Sequence, residues 1–272
     1  MNGSDGFESF AAAFKPRIIC IVNQKGGVGK TTTAVNLATA LAACEKRVLL
    51  VDLDPQGNAS TGLGIARSRR ATGTYNLLID RLPVAETILE TKVPRLWIVP
   101  ASPDLAGAEI ELVALGGREY RLRDALENLP GGYDYVLIDC PPSLGLLTVN
   151  ALVASDAVLV PLQCEFYALE GLSHLTTTIE RVRQALNPNL EIQGLVLTMV
   201  DKRNNLTEMV ASDVRGHFGD KVYRTVIPRN VRVSEAPSHG LPVLIYDLRC
   251  PGAQAYVHLA GEVIRRETRA AA

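Results

Sequence analysis

The sequence predicts an α/β fold, a mostly parallel sheet covered by helices on both faces. Three observations point there. Several short runs of strand length are apolar throughout rather than alternating, as strands buried on both sides must be. Helix-length segments lie between most of them. A glycine-rich turn joins the first such run to the first helical segment, at the sheet end where open α/β folds bind ligands. Composition agrees: 47% of the 272 residues are hydrophobic and 21% charged, which is globular and excludes a largely disordered chain.

The elements follow in order. Residues 1–16 read as a tail, in which Phe7, Phe10 and Phe14 fall at helical spacing and allow a short amphipathic helix. Arg17-Ile-Ile-Cys-Ile-Val22 is the first buried strand, and Lys30 to Ala43, rich in Ala and Leu, the first helix. Arg47 to Leu53 repeats the strand signature. So do Leu96 to Val99, Tyr133 to Ile138, Ala157 to Pro161, Ile192 to Met199 and Val222 to Ile227. Leu169 to Leu186 and Leu206 to Phe218 are helical segments between the later strands. Ala253 to Arg266 forms a last helix, with Tyr256, Leu259, Val263 and Ile264 on one core-docking face. No internal repeat or low-complexity linker divides the chain, so residues 17–272 are expected to be one domain.

Several function classes fall away. A formal charge of −1 provides no global basic field, so any affinity for nucleic acid needs a local patch. No stretch of about 18 apolar residues exists to span a membrane. The longest candidate, Ala151 to Leu162, is broken by Ser155 and Asp156. The start lacks a basic stretch followed by an apolar run, so a cytoplasmic protein without a signal peptide is expected. The five cysteines include no C-x-x-C pair, which leaves reduced thiols rather than a zinc or redox site. His174, His217, His239 and His258 have no metal spacing. Ser143 lacks the G-x-S-x-G elbow of a serine nucleophile.

The strongest signal is Asn23-Gln-Lys25-Gly26-Gly27-Val28-Gly29-Lys30-Thr31-Thr32-Thr33, between a strand and a helix, which is the setting of a P-loop. Glycines let successive backbone N–H groups turn toward phosphate oxygens, and the helix start adds its positive end. Lys30 supplies a full charge at the β- and γ-phosphates, and the Thr31 hydroxyl is placed to ligate Mg²⁺. The match to G-x-x-x-x-G-K-[ST] is imperfect: Gln24 stands where the first glycine belongs, and a second lysine, Lys25, lies inside the loop. A dinucleotide-binding G-x-G-x-x-G fits worse, since begun at Gly27 it meets Thr32 at its third glycine. Two strand ends carry acids, Asp52 and Asp54 after one strand and Asp139 after another. There they can hold Mg²⁺ through its water shell or orient an attacking water.

Lys25-Gly-Gly-Val-Gly-Lys-Thr-Thr, Asp52-Leu-Asp-Pro-Gln-Gly-Asn and Asp139-Cys-Pro-Pro-Ser together resemble the deviant Walker A ATPases, a group of P-loop NTPases. Within them the chain resembles the ParA/Soj chromosome-partitioning proteins. That likeness extends to Ile227-Pro-Arg-Asn-Val-Arg-Val-Ser-Glu-Ala-Pro-Ser-His-Gly240 and covers Arg17 to Arg266. With so short a segment before the first strand, it is the short chromosomal type that is resembled.

The resemblance implies a slow ATPase acting as a switch, with ATP and Mg²⁺ as its ligands. ATP closes a homodimer face to face; the dimer holds double-stranded DNA non-specifically; hydrolysis, stimulated by a ParB-type centromere-binding protein, releases it. The protein would then be cytoplasmic and nucleoid-associated. Residue by residue, Lys25 matches the lysine that reaches the partner's phosphates, and Gly26 the point where two loops nearly touch. Lys30, Thr31 and Thr32 follow in the phosphate loop with Gly27, Val28 and Gly29. Asp54 matches the residue that positions the attacking water, and Asp139 the Walker B acid, both reaching Mg²⁺ through water. Pro228 and Asn230 match the segment bordering adenine. Arg203 and Arg232 match positions that contact DNA. They lie in a stretch, Asp201 to Arg232, with seven basic residues (Lys202, Arg203, Arg215, Lys221, Arg224, Arg229, Arg232) against four acids. Arg67, Arg69 and Arg70 read as a solvated basic loop, with a secondary DNA contact as the alternative. The rival function is a membrane-associated positioning ATPase of the MinD type, which needs a terminal lipid-binding helix that Glu267 to Ala272 does not supply.

Overall fold

The computed structural model describes residues 15–165, 168–201 and 203–270. The tail with Phe7, Phe10 and Phe14, and Lys202 of the basic stretch, lie outside the described residues. One seven-stranded sheet forms the centre. Its strands are β1 (Arg17–Ile21), β2 (Val48–Asp52), β3 (Leu89–Glu90), β4 (Leu96–Val99), β5 (Tyr135–Asp139), β6 (Ala157–Gln163) and β7 (Glu191–Thr198). They lie in the order β3-β4-β2-β5-β1-β6-β7. Every pairing is parallel except β3 with β4. β2 and β5 are buried at every position, which is why their sequences carry no alternation.

Helices cover both faces and divide the core in two. On one face α1 (Lys30–Ala43) lies between the sheet and α11 (Pro251–Ala270). It is buried nearly all round, from Thr33 to Ala42, and its small Ala and Thr side chains permit that close approach. The expected stripe on α11 docks here: Tyr256, Leu259 and Val263 are buried and Ile264 packs beside them. On the other face α4 (Leu105–Val113), α5 (Arg121–Glu127), α6 (Leu146–Ala154), α7 (Ala168–Ala185) and α8 (Asn205–Phe218) close a second core. Four of the five cysteines, Cys20, Cys140, Cys164 and Cys250, are buried free thiols, and Cys44 is exposed.

One expected strand is absent. Val222 to Ile227 runs beside β7 without a continuous ladder: two isolated parallel bridges, Leu195 to Val222 and Val200 to Pro228, and the Ile227 N–H on the Leu197 carbonyl (2.8 Å) join them. The reason lies in α11. The Glu262 carboxylate accepts the N–H groups of Arg224 (2.9 Å) and Thr225 (3.0 Å), so they are not available to the ladder. The sheet edge is thus covered by an irregular segment pinned from a helix.

Candidate functional site

The glycine-rich loop sits at the carboxyl end of β1, flanked by the ends of β5 and β6. Asn23 anchors its start: the side-chain amide donates to the Pro161 carbonyl of β6 (2.7 Å), and its oxygen accepts the Lys25 N–H (3.0 Å). Gly27 and Gly29 adopt left-handed conformations, with φ of 76° and 87°, which glycine alone adopts without strain. Val28 is buried, and the Thr198 hydroxyl at the end of β7 donates to its carbonyl (2.8 Å). Gly29 serves as N-cap of α1 without any side chain covering the first-turn N–H groups, so those donors face outward from the helix start. Gly26 lacks the left-handed φ of Gly27 and Gly29, and a Cβ there, as at Gly27, would meet nothing among the described residues within 4 Å.

The two lysines have distinct settings. Lys30 is buried, and its ammonium donates back to the Lys25 carbonyl (3.0 Å). Burial lowers its pKa, with Asp139 opposing that shift. Lys25 points outward, exposed, and pairs with Glu165 after β6.

Three acids gather at two strand ends, as expected, but their surroundings differ. Asp52 and Asp139 are paired in register across β2 and β5, and both are fully buried. Asp52 is satisfied: one oxygen accepts the Ser60 N–H (2.8 Å) and hydroxyl (2.6 Å), tying down α2 (Asn58–Gly62). Burial still pushes its pKa up to about 6. Among the described residues Asp139 has no hydrogen-bond partner on either oxygen. Burial first, then the neighbouring Asp52, raise its pKa well above the carboxylate range; the adjacent Thr31 hydroxyl, without the geometry of a full hydrogen bond, and Lys30 oppose this. A buried, unpartnered carboxylate beside a threonine at a helix start fits a hydrated hard cation, which would fill its open acceptors. Asp54, also buried, accepts the Gln56 N–H (2.9 Å) in the turn leading to α2. Among the described residues no group of three His, Cys, Asp or Glu side chains is placed to hold a metal directly.

The basic loop after α2 splits. Arg67 and Arg69 are exposed, whereas Arg70 is buried and donates to the carbonyls of Ile65 (2.6 and 3.0 Å) and Gly57 (3.2 Å) and to the Thr61 hydroxyl (3.0 Å). The reading of all three as a solvated cluster therefore fails at Arg70, which clamps the turn after Asp54. Nothing in a run of three arginines marks which one folds inward.

The segment around Pro228 is fixed to the end of β7: the Val200 N–H donates to the Ile227 carbonyl (3.0 Å), and the Arg229 N–H to the Val200 carbonyl (3.1 Å). The Asn230 side chain caps the short α9 (Val231–Glu235), accepting the Val233 N–H (3.4 Å). A separate cleft of about 260 Å³ opens beside Thr31, Thr32 and Asn36 of α1, against Thr61, Pro237 and Pro242; neither Pro228 nor Asn230 lines it. Arg203 and Arg232 are exposed, and each is held by acids. Arg203 chelates Asp201 (2.9 and 2.8 Å), which holds that carboxylate well below its usual range. Arg232 meets Glu235 (3.0 Å) and Asp247 (3.5 Å).

Residues 16–192 match a protein family described as an AAA domain. The chain is 66% identical over 253 residues to the chromosome partitioning protein ParA of Caulobacter vibrioides, covering 92% of this chain and 95% of that protein. It is 58% identical over 247 residues to the sporulation initiation inhibitor protein Soj of Bacillus subtilis, covering 91% and 98%. Among solved structures it resembles a cobyrinic acid a,c-diamide synthase from Mycobacterium smegmatis with bound ADP and magnesium, with a TM-score of 0.82 and 37% identity over 93% of this chain and 96% of that one. With identities this high over nearly the whole length, and with the P-loop and its buried acids built as described, the chain belongs to the ParA/Soj family of chromosome-partitioning proteins.

Proposed function

We propose that this protein is a Mg²⁺-dependent ATPase that works as a switch in partitioning a chromosome or plasmid. The observation that supports the reading best is Asp139, a fully buried carboxylate without a hydrogen-bond partner among the described residues, set beside Thr31 and Lys30 beneath a left-handed glycine loop. Thr31 would hold Mg²⁺ directly, and Asp54 and Asp139 through water. Bound there, the ion would supply positive charge where negative charge is most crowded, between the β- and γ-phosphates.

The chain's own groups do the rest. The backbone N–H groups from Gly26 to Thr32 and the start of α1 bind the phosphates. Lys30, already turned over the loop, neutralises them. Asp54 orients the attacking water, and its turn is held by Arg70 and Gly57. Pro228 and Asn230 border the adenine. Lys25 leaves Glu165 and reaches the phosphates of a second protomer, acting there much as an arginine finger does. Closure of the homodimer doubles the cations presented to DNA, so non-specific affinity rises with ATP and falls after hydrolysis. A ParB-type partner sets the pace of that hydrolysis. The names borne by the relatives, chromosome partitioning protein and Soj, support the cellular role, and the bound ADP and magnesium of the solved neighbour support the ligands.

The test is binding to a random-sequence duplex with ATP, with ADP and without nucleotide. Binding with ATP alone is expected, and Asp54→Ala should retain it while losing hydrolysis. Equal binding in all three states, or none, overturns the DNA-switch reading. Sedimentation with liposomes in the presence of ATP then tests the membrane alternative.

A further inference from the structure

The β7 edge of the sheet carries a second feature. β7 ends the strand order, and residues 221–229 cover its outer side. Between the bridges at Leu195 and Val200 that segment climbs about 17 Å along the edge. It bears exposed cations along its length, Lys221 and Arg224 low and Arg229 high. At the low end, away from the P-loop, a groove of about 1140 Å³ opens between α8, this segment and the outward face of α11. Arg215 of α8, Arg224, and His258 and Arg265 of α11 line it, all exposed. The basic stretch read from the sequence is therefore not one patch. Its Arg215 and Arg224 gather at this groove, where α11 adds Arg265, which a linear count over 201–232 leaves out.

These cations are uncommitted. Among the described residues Arg215, Arg224 and Arg265 form no ion pair, whereas Arg203 and Arg232 each do. Of the two acids lining the groove, Glu262 is occupied by the N–H groups of Arg224 and Thr225 and by Arg266 (3.2 Å), which leaves Asp220. The shape of the groove selects the ligand. The Tyr223 ring is fully buried with Arg266 4.0 Å over it, so it offers no face on which a base could stack. The Arg224 and Thr225 N–H groups are spent, so no backbone cradle remains for a compact phosphate. Long side chains from three separate elements along an open edge suit charge spread over distance, and a climb of about 17 Å matches about five phosphate steps of a DNA strand.

We infer that this edge, from Arg215, Arg224 and Arg265 up to Arg229, is a second, sequence-independent binding surface for the phosphodiester backbone of duplex DNA. The inference rests on the proposed DNA-carrying function. The experiment is a salt series of duplex binding with ATP for the wild-type protein, for Arg215→Gln/Arg224→Gln/Arg265→Gln and for the same three positions changed to Lys. In the Gln variant affinity at moderate salt should fall at least about 10-fold, and the slope of log affinity against log salt should become shallower by about 0.9 for each phosphate no longer neutralised. The Lys variant should recover most of both, and basal ATP hydrolysis should stay unchanged in each. Wild-type affinity and slope in the Gln variant, with binding abolished in Arg203→Ala or Arg232→Ala, overturns the groove and leaves the switch standing. A wild-type protein that does not bind the duplex with ATP overturns both.

Discussion

At the level of single residues, the site depends on which charges are satisfied and which are held open. Lys25 is engaged by Glu165 in its own chain, so the lysine proposed to act across a dimer starts from a competing partner. Both side chains are partly exposed, and such pairs contribute about 0–1 kcal/mol. Glu165→Gln should therefore let the dimer form at up to about 5-fold lower ATP, read by light scattering across an ATP titration. An unchanged midpoint would show that the pair imposes no barrier. Asp52 and Asp139 differ in the same way. Asp52 has a raised folded pKa near 6, so the folded state binds its proton where the unfolded chain has released it. Stability from this group is greatest below about pH 4 and is lost as pH rises to about 6. In nucleotide-free protein, Asp52→Asn should make that fall shallower in urea denaturation at stepped pH, the remainder belonging to Asp139, whose pKa is also raised. A profile that keeps its wild-type fall between those values would assign the proton elsewhere.

At the level of elements, the legible parts of the fold were those with uniform physics. Strands buried on both faces write continuous apolar runs, and Lys30 to Ala43 begins and ends as a helix where its composition changes. Val222 to Ile227 has the same apolar look but is not a strand, because its ladder groups are claimed by Glu262, a residue far along the chain. The short α2 and α9 are held by single polar side chains, Ser60 against Asp52 and the Asn230 cap, and are too brief for periodicity to register. The site was legible as a motif, but its electrostatics were not. Nothing in Asp52-Leu-Asp54 distinguishes a carboxylate that braces a helix from one left open, since that depends on what register sets beside it. The Glu262 pin makes a prediction of its own. Removing it leaves two part-buried N–H groups without their acceptor, while Arg266 keeps the carbonyls of Gln193, Lys221 and Val222, so Glu262→Ala should cost roughly 1–3 kcal/mol in urea unfolding, more than a surface change of similar size. A loss under about 0.5 kcal/mol would mean the edge segment holds without it.

At the level of the whole molecule, the constraint on Gly26 is of a different kind from that on its neighbours. Gly27 and Gly29 answer to their own backbone, since a side chain at either would sit in a strained left-handed conformation. Gly26 has no such conformation, and a Cβ there meets nothing among the described residues within 4 Å. The described residues of a single protomer therefore give no reason for glycine at this position. A second protomer closing over the loop does, because it would bring backbone to the point where the Cβ would stand. Gly26→Val separates the two levels. The variant should fold with wild-type stability and bind ATP with near wild-type affinity, because neither the strand end nor the helix start is disturbed. It should remain a monomer with ATP, and duplex DNA affinity should stay at the nucleotide-free level, because doubling the cationic surface depends on closure. Sedimentation velocity with and without ATP reads the first outcome and fluorescence anisotropy the second. A variant that dimerises like the wild type would place the interface away from the loop, and Lys25 would then act only within its own chain, in the pair it already makes with Glu165.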